Sequence, residues 1–299
     1  MTDVIERTEI PQPEPAYALG DLLGVPVPDL GNGEGLPPLW HWVYLLDRAA
    51  LADLGPDGHP VRGTLPAPPG PGRRRMWAGG RVRTSGPLRC GRPATKRTRV
   101  LAVTEKHGRT GHLTFVTVGV QVLQDGAVVV HEEQDIVYRD AAGAAGPPSP
   151  AAAAPVVPAG MSEREIEVSP ALLFRFSALT YNAHRIHYDR DYCRDVEGYP
   201  GLLTHGPLQA LAMAEAARAV SSTGGRTGDV SFEYRLVSPL FDDQGLVVGA
   251  AAGPDGTTVT AARDRYGRQT AAGTLRTDHR GTVGAPSFLL LSLSLRWSP

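Results

Sequence analysis

Residues 176–211 read FSALTYNAHRIHYDRDYCRDVEGYPGLLTHGPLQAL. Three imidazoles, His184, His187 and His205, fall within this one stretch, beside Asn182 and the glycines Gly201 and Gly206. Asn182 and His187 are five residues apart in a segment too polar and turn-rich for a core strand. His205 and Gly206 stand in a second loop that opens a helix at Pro207. A helix start offers backbone N–H groups without intrahelical partners and a partial positive charge. Pro207 has no N–H, and Gly206 has no side chain, so the Gly206 amide is the prominent donor at the loop end. An imidazole next to such a donor suits chemistry at a carbonyl, the amide holding an oxyanion and the ring moving the proton.

The elements that must position these groups follow from periodicity. In the C-terminal half, residues 206–220 form a helix with small apolar side chains on a broad face, preceded by the loops and followed by strand-like segments at 229–240, 244–253, 257–265 and 268–277. The N-terminal half repeats this plan. Residues 36–55, LPPLWHWVYLLDRAALADLG, have helical spacing after two prolines, and four β-rich segments follow between residues 79 and 140. A Pro/Ala/Gly stretch with almost no charge divides the two. The chain therefore divides into residues 1–140, a linker at 141–160, residues 161–280, and a tail at 281–299. A helix wrapped by a curved antiparallel sheet satisfies each half. A short helix near residues 15–28 falls outside this repeat, and the alternating apolar tail SFLLLSLSLRWSP has no physical account.

Composition excludes several classes. The chain has 299 residues, 41% of them hydrophobic, and a net charge of -1, so no global field draws it to nucleic acid or an acidic membrane. Only Lys96 and Lys106 among its 30 basic residues are lysines, and single arginines are discounted accordingly. Two cysteines, Cys90 and Cys193, make no disulfide framework. The acidic N-terminus lacks the apolar core of a signal peptide, and no run of about 20 apolar residues is present, so a cytoplasmic protein is expected.

The segment resembles the hydratase-2 signature of MaoC-like enoyl-thioester hydratases. Phe176, Leu179 and Thr180 match its opening, and the wider run PPLWHW, RMWAGG, EEQDIVYRD and VEGYPGLLTHGPLQ is similar to the mesaconyl-C4-CoA hydratase and hydroxyacyl-thioester dehydratase type 2 branch over residues 35–277. The resemblance implies an α+β double hot-dog, two units each with a long helix wrapped by a curved antiparallel sheet. It implies a hydro-lyase on an acyl thioester. It assigns His187 as general acid/base, Asn182 to the position of the family's acid, and Gly206 as the oxyanion donor. The family's Gly, second Asn and Pro are replaced by Tyr181, His184 and Arg185. These three, with His205 and Trp77, are the candidate substrate-binding residues. Arg185 is a candidate for a substrate carboxylate, and residues 73–77, RRRMW, for a coenzyme A phosphate.

No metal and no redox cofactor is implied; coenzyme A or phosphopantetheine enters as part of the substrate, on acyl-CoA or an acyl-carrier protein. The edges of such sheets also suggest a homodimer. Asn182 cannot carry a proton as Asp would, but its amide can orient a water. Two other readings stay open: a carrier-bound biosynthetic dehydratase or cyclase, and a non-catalytic thioester-binding module.

Overall fold

The computed structural model describes residues 4–61, 73–108, 111–140, 160–221 and 229–278. The linker, apart from Gly160, and the tail lie outside them. Val and Thr recur through the extended segments, which join into one ten-stranded antiparallel sheet. The N-terminal half supplies β1 (Ile5–Glu9), β2 (Arg73–Thr84), β3 (Ala94–Gly108), β4 (Gly111–Gln124) and β5 (Ala127–Asp140). The C-terminal half supplies β6 (Ser162–Ile166), β7 (Asp229–Leu236), β8 (Leu246–Ala252), β9 (Thr258–Arg263) and β10 (Gln269–Asp278). Their spatial order is β1-β3-β4-β5-β2-β7-β10-β9-β8-β6. Each half thus has the same order read outward from the middle. The halves meet where β2 and β7 pair antiparallel, from Gly79 opposite Arg235 to Thr84 opposite Val230.

The repeat also includes the helix expected to lie outside it. Helix α1 (Pro13–Leu23) follows β1 as α2 (Pro170–Leu179) follows β6, and the two helices pack together. Both open on proline at the first turn, where a missing N–H costs no helical bond.

The halves then diverge. Short α3 (Arg190–Asp195) leads into α4 (Gly206–Val220), which is buried almost all round, with Leu208, Ala210, Leu211, Ala212 and Met213 at or near zero exposure. Small side chains let it approach the sheet, and it packs on β8, β9 and β10 and also touches β2 and β7. The helix expected at residues 36–55 does not form. Two single 3-10 turns, Trp40–Val43 and Leu51–Asp53, stand there instead. Leu39 and Leu45 take left-handed backbone conformations, φ 71° and 52°, which interrupt any helix between them. Tertiary bonds override the helical spacing. Trp40 Nε1 donates to Glu215 of α4 at 2.8 Å, while His41 Nε2 and Trp42 Nε1 bond the two oxygens of Glu132 of β5, each at 2.8 Å. The turn is a wedge between α4 and the N-terminal sheet. Glu132 is 1% exposed; burial acts to raise its carboxyl, but the bonds from His41, Gln134 and Trp42 hold it below the ordinary range. No described helix is long and apolar enough to cross a membrane.

Candidate active site

The loop after α2 is folded by its own polar groups. Thr180 Oγ1 donates back to Phe176 O at 2.7 Å and ends the helix. Tyr181 takes a left-handed conformation, φ 53°, and points outward, 55% exposed. Asn182 Oδ1 accepts from His184 N at 3.0 Å, an Asx turn that throws the chain into the 3-10 turn Arg185–His187. Asp189 caps α3 by accepting from Tyr192 N at 3.0 Å. The second loop is tied to the first through Leu203, whose N–H donates to Ile186 O at 2.9 Å.

His187 Nδ1 lies 2.7 Å from the carbonyl oxygen of Leu203. A carbonyl only accepts, so Nδ1 carries the proton and Nε2 keeps its lone pair. Burial lowers the His187 pKa to about 4, against the Leu203 bond, which raises it. The ring is therefore a neutral, oriented base near pH 7. His205 stacks on it with centroids 3.6 Å apart and planes 17° apart, and bonds Ser177 Oγ through Nε2 at 2.9 Å. Burial, then His187, holds His205 well below the ordinary imidazole range. Its Nδ1 is buried without a hydrogen bond. Gly206 begins α4 directly after His205. A side chain there would meet Leu236 Cδ1 at 2.2 Å, so glycine also serves close packing of the helix start on β7.

His184 turns the other way. Its ring packs on His59 at 3.8 Å and stands edge-on to His187 at 5.4 Å. Burial, followed by the neighbouring His59, His187 and Arg75, keeps His184 far below its ordinary pKa. His59 belongs to the N-terminal half, as do Asp57 and Arg75; a Pro-Asp-Gly turn before a histidine marks the first two in the sequence, and Arg75 falls in the 73–77 run read as a candidate for a coenzyme A phosphate. Asp57 Oδ2 bonds His59 Nδ1 at 3.1 Å. Burial acts to raise the Asp57 carboxyl, yet its bonds to His59 hold it lower. Their loop is docked onto the histidine loop: Arg185 N donates to Asp57 O at 2.8 Å and Arg185 Nη1 to Pro56 O at 3.1 Å. Gly58 lies at φ 85°, and any Cβ there would fall 1.9 Å from Ala183 O. Only glycine allows that approach.

Several candidate residues are placed elsewhere. The Arg185 guanidinium is engaged by Asp189 at 2.8 and 3.0 Å and lies over the Tyr192 ring at 4.1 Å, so it clasps two loops rather than joining the histidines. Trp77 lies on β2 and donates to Tyr234 OH at 2.8 Å, edge-on to Trp42. Arg74 is held by Glu197, with Nε 2.8 Å from Oε2, which takes one arginine of the 73–77 run away from a phosphate role. Arg75 points instead to the face of β2 that carries Trp77, opposite Tyr138 of β5.

Among the described residues, Asp57, His59 and His184 are the one group with metal-ligand atoms in reach of each other, all within 4.8 Å. Two of those donors already bond each other, and the adjacent Arg75 charge opposes a cation. A groove of about 500 Å³ runs past Arg97, Leu101 and Gln121 on the sheet face opposite Glu132. The convergence of imidazoles, not volume, marks the site.

Known proteins resemble the chain in sequence and in fold. The family model of hydroxyacyl-thioester dehydratase type 2 matches residues 39–242. A mesaconyl-C(4)-CoA hydratase of Chloroflexus aurantiacus is 46% identical over 242 residues, 78% of this chain and 84% of that protein. Among solved structures, a MaoC-like dehydratase from Phytophthora capsici superposes with a TM-score of 0.67 at 16% identity, covering 94% of this chain and 96% of the other. A Mycobacterium tuberculosis protein described as having a double hotdog fold gives 0.55 at 14% identity, with 92% and 94% covered. With the match to residues spanning both halves, the chain belongs to the hydroxyacyl-thioester dehydratase type 2 family, hydro-lyases built on the double hot-dog fold.

Proposed function

We propose that the protein adds water reversibly across the double bond of an enoyl thioester, with His187 as the general acid/base. The observation that carries this reading is the His187 tautomer. Its Nδ1–H is held by Leu203 O, so a neutral Nε2 is left to work. Water gives a proton to Nε2 as its oxygen bonds the β-carbon. The electron pair of the double bond moves to the thioester oxygen, and the Gly206 amide at the start of α4 meets that charge. The proton then returns to the α-carbon, and the carbonyl re-forms. Asn182 spends its oxygen on His184 N, and its amide N–H₂ remains to orient the water. His184 and His205, both held neutral, keep positive charge from competing with His187 for the proton.

In this mechanism the proton travels on imidazole and the oxyanion rests on an amide, so no metal or redox group takes part. Coenzyme A or a carrier-bound pantetheine belongs to the substrate. The similarity to a mesaconyl-C(4)-CoA hydratase makes a mesaconyl-C4-CoA-like thioester the first substrate to test. The experiment compares wild type with His187→Ala on mesaconyl-C4-CoA and crotonyl-CoA, following double-bond absorbance and product mass. Turnover by wild type that falls at least about 100-fold in the variant supports the proposal. Turnover that survives the substitution refutes the role of His187 and favours a cyclase-like pocket. No turnover by a folded wild type refutes hydration of these thioesters.

A further inference from the structure

The chemistry above leaves one strong cation unused. Arg75 stands beside the histidine cluster, where its charge is felt by Asp57, Tyr138, His59 and His184. It is enclosed by protein yet keeps partial solvent access. Among the described residues its guanidinium makes no hydrogen bond and no ion pair. Asp57, the acid whose charge acts on it, bonds His59 instead. A guanidinium carries five donors in a rigid fork suited to a carboxylate. Enclosing it without a partner is unfavourable, and an incoming anion relieves that cost. The contrast with Arg74 and Arg185, each held by a carboxylate and a backbone carbonyl, singles out Arg75.

The identity of the anion follows from position. Ring contacts of 3.8 Å from His59 to His184 and 5.4 Å from His184 to His187 link Arg75's surroundings to the proposed base. The phosphates of coenzyme A lie a whole pantetheine arm from the thioester, and the enolate oxygen is assigned to Gly206. A negative charge held beside His59 and His184, whose rings lead to His187, is therefore carried by the acyl group, towards the carbon that receives water. We infer that Arg75 binds a free carboxylate of the acyl group and so selects a dicarboxylic over a monocarboxylic thioester. The inference rests on the hydro-lyase reading for the location of the acyl group. It gives the N-terminal half, which lacks the signature, the choice of substrate.

The test uses binding of saturated, non-reacting ligands to the full chain, so it does not depend on turnover. Succinyl-CoA and butyryl-CoA share coenzyme A and chain length but differ in the terminal carboxylate. Calorimetry of the wild type is expected to show succinyl-CoA binding about 10–100-fold more tightly. Arg75→Gln is expected to abolish that preference while leaving butyryl-CoA within about threefold. Arg75→Lys, which keeps charge without the fork, is expected to restore part of it and serves as the second variant if the glutamine chain does not fold. A wild type without preference, a preference that survives in Arg75→Gln, or equal weakening of both ligands would overturn the inference; equal weakening is the mark of a phosphate contact or a structural role. A wild type that shows the preference but hydrates no thioester would count against the hydro-lyase reading and leave Arg75 standing as a carboxylate site.

Discussion

The two halves of the molecule start alike and end differently. Glu6-Arg7 in β1 and Glu163-Arg164 in β6 open strands with the same alternation of exposure, and each strand leads into a proline-started helix. Beyond that point the C-terminal half builds a histidine loop and the central helix α4. The N-terminal half builds a wedge, Trp40–Val43, fastened by buried polar bonds, and a loop that crosses to the other half. One sheet needs only one fully buried helix at its centre, so the second unit is free to contribute charged groups. In this chain it contributes Asp57, His59 and Arg75. The difference is also one of bonding: α4 is held mainly by non-directional apolar burial, whereas the wedge depends on a few directional bonds to carboxylates.

This contrast can be broken at either end. The largest effect is expected from His187→Ala, which removes the proton shuttle of the C-terminal half and lowers kcat by about 10²–10⁴-fold with little change in melting temperature. Turnover kinetics beside thermal unfolding check both parts. Next is Glu132→Ala in the N-terminal half. It leaves His41 and Trp42 without their buried acceptor and is expected to cost about 3–5 kcal/mol in urea unfolding. A loss below about 1 kcal/mol would show that the wedge does not depend on that carboxylate.

A third effect comes from pH. The His187 pKa is depressed in the fold to about 4, so the unfolded chain binds more protons below its ordinary value of 6.5. The contribution is full above pH 6.5 and is lost as the pH falls towards 4, by on the order of 3 kcal/mol for this ring alone. His184 and His205 act in the same direction. Stability measured by unfolding across this range should decline towards acid, while kcat/KM stays flat to below pH 5 because Nε2 is still unprotonated. An activity limb near pH 6.5 would contradict the burial argument. The smallest effect is expected from Asn182→Asp. The new carboxylate can still accept from His184 N, so stability should change by under about 1 kcal/mol and turnover by less than tenfold. Rescue well above wild type would show that the amide is the weak point of the site.

The C-terminal contribution was legible because its chemistry is local. Asn182, His184 and His187 lie within six residues, and Pro207 marks the helix start, so spacing alone places them together. The N-terminal contribution was only partly legible: the run 73–77 stood out as an anion-binding candidate, but its partners are far apart in sequence. Arg75 faces Tyr138 only through the β2–β5 register, and Trp40 meets Glu215 across 175 residues. The Pro-Asp-Gly-His run reads as an ordinary turn until Gly58 is seen against Ala183 O. Residues 36–55 misled in the opposite direction. Their apolar period is that of a helix, but aromatic N–H groups with buried acceptors on two different elements outweigh local propensity. The repeated Glu-Arg strand and proline-started helix was a usable signal of where each half begins.

Among the described residues, the ten-stranded sheet has two free edges, β1 and β6, which are copies of each other in plan. Both are five residues long and rich in charge, IERTE and SEREI. Short, charged edge strands resist the addition of a further strand from another molecule. A sheet this wide would otherwise template end-to-end polymerisation of the chain. The same edges that suggest a dimer are thus poor places for a further strand to add.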